Sequence, residues 1–183
     1  MTLLEQIRKT MQSGSKEEKI KIIESASCMT DPKALEIIVS GLGDEDIEIR
    51  GEVFSALLLN ENDISEALLE GLKSRDKNIR GYCALVLANR NERKAISRII
   101  QLTEDQSAMV RSCAVGALGY LRAGEASFAI QKCLDDPNIE VIKSAIKSAI
   151  DIKDKFLISK LDVLVKQSDP EISRLAVFAR NNL

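Results

Sequence analysis

Between residues 90 and 98 the chain carries Arg90, Arg93, Lys94 and Arg98, a run of bases able to hold phosphate or nucleic acid. No aromatic residue lies within that run to stack on a base, and the chain as a whole has a net charge of −2. Nucleic-acid binding is therefore disfavoured beside a protein-binding role. Charge is unevenly spread: residues 31–70 hold 11 acids and 2 bases, and residues 71–122 hold 10 bases and 4 acids. Two readings stand for this asymmetry, a bipolar surface that orients a charged partner and ordinary solvated helix faces in a chain with 30% charged residues. Histidine is absent, which removes His metal ligands and Ser-His-Asp or Cys-His catalysis but leaves carboxylate and lysine chemistry open. The four cysteines, Cys28, Cys83, Cys113 and Cys133, form no CxxC pair and lie among apolar neighbours, the pattern of small core hydrophobes. GxxxxGK[ST], GxGxxG, GxSxG and HExxH are missing. No catalytic residue, metal site or cofactor is expected.

The elements that would position these side chains follow a repeat. An acidic or small polar residue, an aliphatic and a basic residue precede a helical run of small apolar residues. The phrase opens at Ser15, Asp44, Ser74 and Asp105, and more loosely at Asp136 and Asp169. With Lys21, Arg50, Arg80, Arg111, Ile142 and Arg174 as anchors, the steps are 29, 30, 31, 31 and 32 residues by subtraction. A period of this size defines a helical solenoid. Each repeat reads as two helices. The A helices fall at about 16–28, 46–59, 76–89, 107–121, 138–151 and 170–181, and the B helices at about 31–42, 62–73, 92–103, 124–134 and 155–167. Ile49, Val53, Ala56 and Leu57 share one face, as do Val110, Ala114, Ala117, Leu118 and Leu121. Ser15 and Glu18 form a capping box, and the pairs Asp31-Pro32, Asp136-Pro137 and Asp169-Pro170 are expected to begin helices. Residues 1–14 would cap the first repeat, with Leu4, Ile7 and Met11 on one stripe. Repeats then span 15–43, 44–73, 74–104, 105–135 and 136–168, with a half-repeat at 169–183. One continuous domain is expected. The N-terminal segment is amphipathic rather than signal-like, no run of about 18 apolar residues exists to cross a membrane, and a cytoplasmic location is expected.

The D-x-x-x-x-[IV]-R phrase followed by runs such as GYCALVLA and SCAVGALGYL resembles HEAT repeats, and most of all the short HEAT-like repeats also found in phycobilisome lyases. The resemblance implies an all-α, right-handed α-solenoid of five to six two-helix repeats, with the B helices lining the concave face. The phrase residues, Arg50, Arg80 and Arg111 among them, are then structural, and Ile142 interrupts the expected ladder of acid–arginine contacts. Off-core B-helix positions become the candidate partner-binding residues: Glu36, Glu66, Glu70, Lys94, Arg98, Gln101, Phe128, Lys132, Phe156 and Val163. Phe128, Phe156 and Val163 sit opposite their apolar stripes and are read either as an exposed interaction patch or as packing against a neighbouring helix. The function expected is a non-enzymatic scaffold that binds a protein partner. A bilin-lyase-like or chaperone-like factor and a nucleic-acid binder are the alternatives. The state expected is a monomer or a weak homo-oligomer through the C-terminal helix, which carries Leu175, Val177 and Phe178.

Overall fold

A computed structural model describes residues 2–166 and 169–183. Gln167 and Ser168, where the fifth B helix is expected to end, lie outside these residues. Among the described residues every regular element is helical. Backbone contacts divide the chain into two units, Met1–Arg90 and Asn91–Leu183. The first unit contains α1 (Leu3–Ser13), α2 (Lys16–Ser25), α3 (Pro32–Ser40), α4 (Ile47–Leu59), α5 (Ser65–Gly71) and α6 (Lys77–Asn89). The second contains α7 (Ile96–Leu102), α8 (Ala108–Tyr120), α9 (Ser127–Cys133), α10 (Ile139–Ile152), α11 (Ile158–Leu164) and α12 (Pro170–Asn182).

Within the first unit, α2, α4 and α6 pack as one row and α1, α3 and α5 as another. Within the second, α10 lies between α8 and α12, and α9 and α11 cover that row. The core between rows is aliphatic. Leu42, Val53, Leu57 and Leu68 are fully buried in the first unit, and Val110, Leu118, Ile130 and Leu161 in the second. Burying each such side chain contributes about 1.5–3 kcal/mol. Ile7 and Met11 of α1 are buried, and this helix packs on α2 and α3.

The repeated phrase has a local mechanism. Its first polar side chain accepts from the backbone N–H two residues on: Asp44 from Asp46 at 2.9 Å, Ser74 from Asp76 at 3.1 Å, Asp105 from Ser107 at 2.8 Å and Asp136 from Asn138 at 2.8 Å. The residue so fixed is the true N-cap. Asp46, Asp76 and Asn138 then accept from N–H groups in the first turn. In three copies the arginine of that turn folds back, and its Nη1 donates to the first two carbonyls of the phrase. Arg50 reaches Asp44 and Glu45, Arg80 reaches Ser74 and Arg75, and Arg111 reaches Asp105 and Gln106, all at 2.7–3.2 Å.

This geometry corrects the register. The anchor is the fourth residue of each A helix, so the set is Lys19, Arg50, Arg80, Arg111, Ile142 and Ser173, with steps of 31, 30, 31, 31 and 31 by subtraction. Lys21 is exposed, and Arg174 donates to Pro170 O within its own helix. The capping box at Ser15 and Glu18 is present, as are the Asp31-Pro32 and Asp169-Pro170 helix starts. Asp136-Pro137 departs from expectation: α10 begins at Ile139, because Asp136 is engaged upstream of the cap. The expected starts of the last three B helices are short 3₁₀ turns, Arg93–Ala95, Gly124–Ala126 and Lys155–Leu157.

Candidate interaction surfaces

Pairs between phrases hold neighbouring repeats together. In the first unit Lys19 Nζ meets Asp44 at 2.6 Å. In the second, Arg111 makes a two-pronged contact with Asp136, at 2.7 Å from Nε and 2.9 Å from Nη2. Partial burial works against the Asp136 charge, yet the Arg111 hydrogen bonds and the Asn138 N–H outweigh it and hold the carboxyl below its ordinary range. Asp44 shows the same balance, with burial overcome by Lys19 and the Asp46 N–H. The Asp136 hydrogen bond in turn holds Arg111 more firmly protonated. In the last two copies Lys143 takes over, pairing with Glu140 at 3.0 Å and Glu171 at 2.6 Å.

The opposite ends of the repeats are closed by side chains that satisfy turn carbonyls. Asn60, buried, donates to Ala26 O at 2.7 Å and Met29 O at 2.8 Å. Arg90 donates to Leu57 O, Asn60 O and Asn62 O. Arg93 donates to Leu121 O at 2.6 Å and faces Glu125 at 3.5 Å. Two members of the basic run at 90–98 are therefore structural plugs, while Lys94 and Arg98 are exposed. Free phosphate contact from four converging bases is not what this region offers.

The candidate B-helix residues are all on the surface. Glu36 is exposed and forms a shared wall of two shallow grooves in the first unit. One groove, of about 270 Å³, lies between α1 and α3 beside Arg8, Met11 and Gln12. The other, of about 250 Å³, lies between α3 and α5 and includes Glu70. Glu70 also pairs with Lys73 at 2.6 Å, and Glu66 is exposed on the same helix. In the second unit Gln101 is exposed. Phe128 is 69% exposed, Phe156 88% and Val163 58%, so none of the three packs into the core. The Lys132 ammonium sits 5.3 Å from the Phe128 ring centre and 3.0 Å from Glu104. A hydrogen bond from Ser127 Oγ to Asp154 ties the start of α9 to the turn that carries Phe156, whose own N–H donates to Asp154 at 2.9 Å. The structure thus brings Phe128, Lys132 and the Phe156 turn together.

Sequence reasoning missed a groove on the other row of the first unit. Ile47, Gly51 and Phe54 of α4 face Tyr82 and Leu85 of α6 around a groove of about 240 Å³. Phe54 and Tyr82 meet edge-to-face with ring centres 6.2 Å apart. The signal was a second apolar stripe, Ile47, Gly51, Phe54 and Leu58, spaced i, i+4, i+7, i+11 on a helix already given a buried face. The cysteines divide. Cys83 and Cys133 are buried, Cys113 is half-buried, and Cys28 is exposed, contrary to the expectation of core packing for all four. Cys28 sits in the 3₁₀ turn that ends α2, beyond the buried stripe. Among the described residues no cluster of three potential ligands could hold a metal, and no helix is long and apolar enough to cross a membrane.

These features define an all-α helical-repeat fold, similar to that of HEAT and armadillo repeat solenoids. Residues 65–151 match the family model for HEAT repeats. No curated protein matches the chain. Among solved structures it is similar to computationally designed armadillo repeat proteins for modular peptide recognition, at 20% identity and a TM-score of 0.63, with 100% of both chains covered. It is similar to a designed armadillo repeat protein in complex with the peptide (KR)4, at 19% identity and a TM-score of 0.63 over 99% of each chain. It is also similar to the complex of CpcE and CpcF of phycocyanin lyase from Nostoc sp. PCC7120, at 16% identity and a TM-score of 0.73 over 82% of this chain and 99% of that one.

Proposed function

We propose that the chain is a non-enzymatic protein-binding scaffold whose B-helix surfaces carry the contacts. The carrying observation is the exposure of Phe128, Phe156 and Val163 on adjacent B elements of the second unit. Large apolar groups exposed on adjacent elements carry an unfavourable hydration free energy that a covering partner relieves. The fold supports the same reading, since a rigid helical repeat presents side chains without a large ordering penalty. In the first unit Glu36, Glu66 and Glu70 give the B surface an acidic character, suited to a basic stretch such as the (KR)4 peptide held by one designed neighbour.

The test is a pull-down from native lysate with the wild type and with Phe128→Ala/Phe156→Ala. Proteins retained by the first and lost by the second, at a melting temperature changed by less than about 2 °C, support the reading. Because both rings are solvated, their removal creates no cavity. A large fall in melting temperature, or an unchanged set of retained proteins, removes it. The likeness to the lyase complex is one of fold. A lyase-like role predicts new visible absorbance after incubation with bilin, and that result would replace the scaffold reading.

A further inference from the structure

Phe128 and Phe156, two of the six aromatic residues of this chain, are exposed beside the turns joining α8 to α9 and α10 to α11, which the Ser127–Asp154 hydrogen bond ties together. The same two turns carry Arg122, Lys153 and Lys155, all exposed and without a carboxylate partner among the described residues. The nearby acids are mostly engaged: Glu125 faces Arg93, and Asp154 accepts from Ser127 and from the Phe156 N–H. Among the described residues of these turns Asp151 is the exposed acid left over, so the bases outnumber it.

The backbone adds a second, independent point. Arg122 and Lys153 stand at corresponding positions of successive repeats and are left-handed, with φ of 48° and 53°. Glycine or asparagine is the inexpensive choice for such a helix end, and the preceding repeat does use one, Asn91 at φ 57°. Arginine and lysine are held there against conformational preference. Strain kept at an exposed site points to a use for the side chains.

We propose that this surface binds a linear segment of a protein partner that is acidic at one end and apolar along its length. The inference rests on the scaffold reading above and specifies the partner. The acidic end would meet Arg122, Lys153 and Lys155. The apolar residues would run from Phe156, in the 3₁₀ turn before α11, to Val163 within α11, seven residues or about 10 Å at 1.5 Å per residue, the spacing of i and i+7 anchors on a partner helix. Nucleic acid and anionic lipid fit less well, because Lys132, Lys160 and Arg180 of the same unit are already ion-paired with Glu104, Asp135 and Asp162, which leaves few bases to follow a run of phosphates.

The experiment is selection of random dodecapeptides on phage against the intact protein, with counter-selection on Phe128→Ala/Phe156→Ala. Selected sequences are expected to combine Asp or Glu with Leu, Ile or Phe. Synthetic copies should bind Arg122→Gly/Lys153→Gly roughly three- to tenfold more weakly, with a steep salt dependence. Those two glycines suit the left-handed turns, so loss of folding is not the cause of weaker binding. Ring-dependent peptides that are neutral or basic would overturn the acidic assignment and leave the scaffold reading standing. No ring-dependent peptide at all would overturn both. Ring-dependent binding of a (dT)20 oligonucleotide or of phosphatidylserine vesicles, with no acidic peptide selected, would also overturn the proposal.

Discussion

Replacing Arg111 with methionine removes more than a charge. The guanidinium makes four hydrogen bonds, two to the Asp136 carboxylate and two to the carbonyls of Asp105 and Gln106. The paired side chains are only 15% and 8% exposed. The variant therefore leaves a largely buried carboxylate without its counter-charge. Breaking such a pair from one side costs about 3–5 kcal/mol. Some solvent reaches both groups, and the Asn138 N–H still supports the carboxylate, so the lower end applies, about 3 kcal/mol. Arg50→Met supplies the control. Arg50 also donates to two phrase carbonyls, at 2.7 and 3.0 Å, but among the described residues it has no carboxylate contact and its buried Nε has no partner. Its loss should cost about 1–2 kcal/mol. Urea unfolding followed by far-UV circular dichroism measures both. A double-mutant cycle with Asp136→Asn should give a coupling of at least about 1 kcal/mol. If Arg111→Met costs no more than Arg50→Met, or the coupling is near zero, the Arg111–Asp136 contact does not hold these repeats together.

Four further outcomes follow from particular residues. Gly51→Ala should stabilise by about 0.5–1 kcal/mol, since a Cβ there meets nothing and the helix interior gains propensity. Gly71→Ala should destabilise by about 1–3 kcal/mol, since its Cβ would overlap Cys83 Sγ and press Val39. Thermal melts distinguish the two. Titration of the native protein with a thiol reagent at pH 8 should show one fast thiol, Cys28, because burial pushes Cys83 up to about 12 and both Cys113 and Cys133 up to about 11. Four fast thiols would contradict that burial. Acid should weaken the fold through Asp44 and Asp136, whose folded values lie below the unfolded value of about 3.9. Their contribution is complete above that value and lost as pH falls through the folded ones, so Asp136→Asn should flatten the melting-temperature curve below about pH 4.

Much of this architecture was written in the period of the sequence. The repeat phrase located every A helix to within a residue or two at its start, because the polar residues that fix a cap are local and cannot be exchanged for apolar ones. The register slips at both ends had a physical origin. Lys19 and Lys21 are equally basic, but two residues rotate a side chain by about 200° around a helix, and only Lys19 faces Asp44. Arg174 matched the phrase by type, while the fourth helical position belongs to Ser173, which donates to Val165 O instead. The candidate surface was legible in part. Phe128, Phe156 and Val163 stood out as apolar residues in polar positions. The bases at Arg122 and Lys153 did not, because nothing in residue type announces a left-handed turn. The Ile47–Phe54 stripe was hidden by the apolar face already assigned to α4.

The plugs at Asn60 and Arg90 have a consequence for the order in which the first unit is completed. The carbonyls of Ala26 and Met29 lie in the turn between the two helices of the first repeat, yet the side chain that caps them lies 34 and 31 residues further along the chain. The turn that holds Asn60 is itself finished by Arg90, 30 residues later. Emerging from a ribosome, each of these two repeats gains the side-chain donor of its turn only when its successor arrives. A nascent chain halted before Arg90 has translated two full repeats and sealed only one of them.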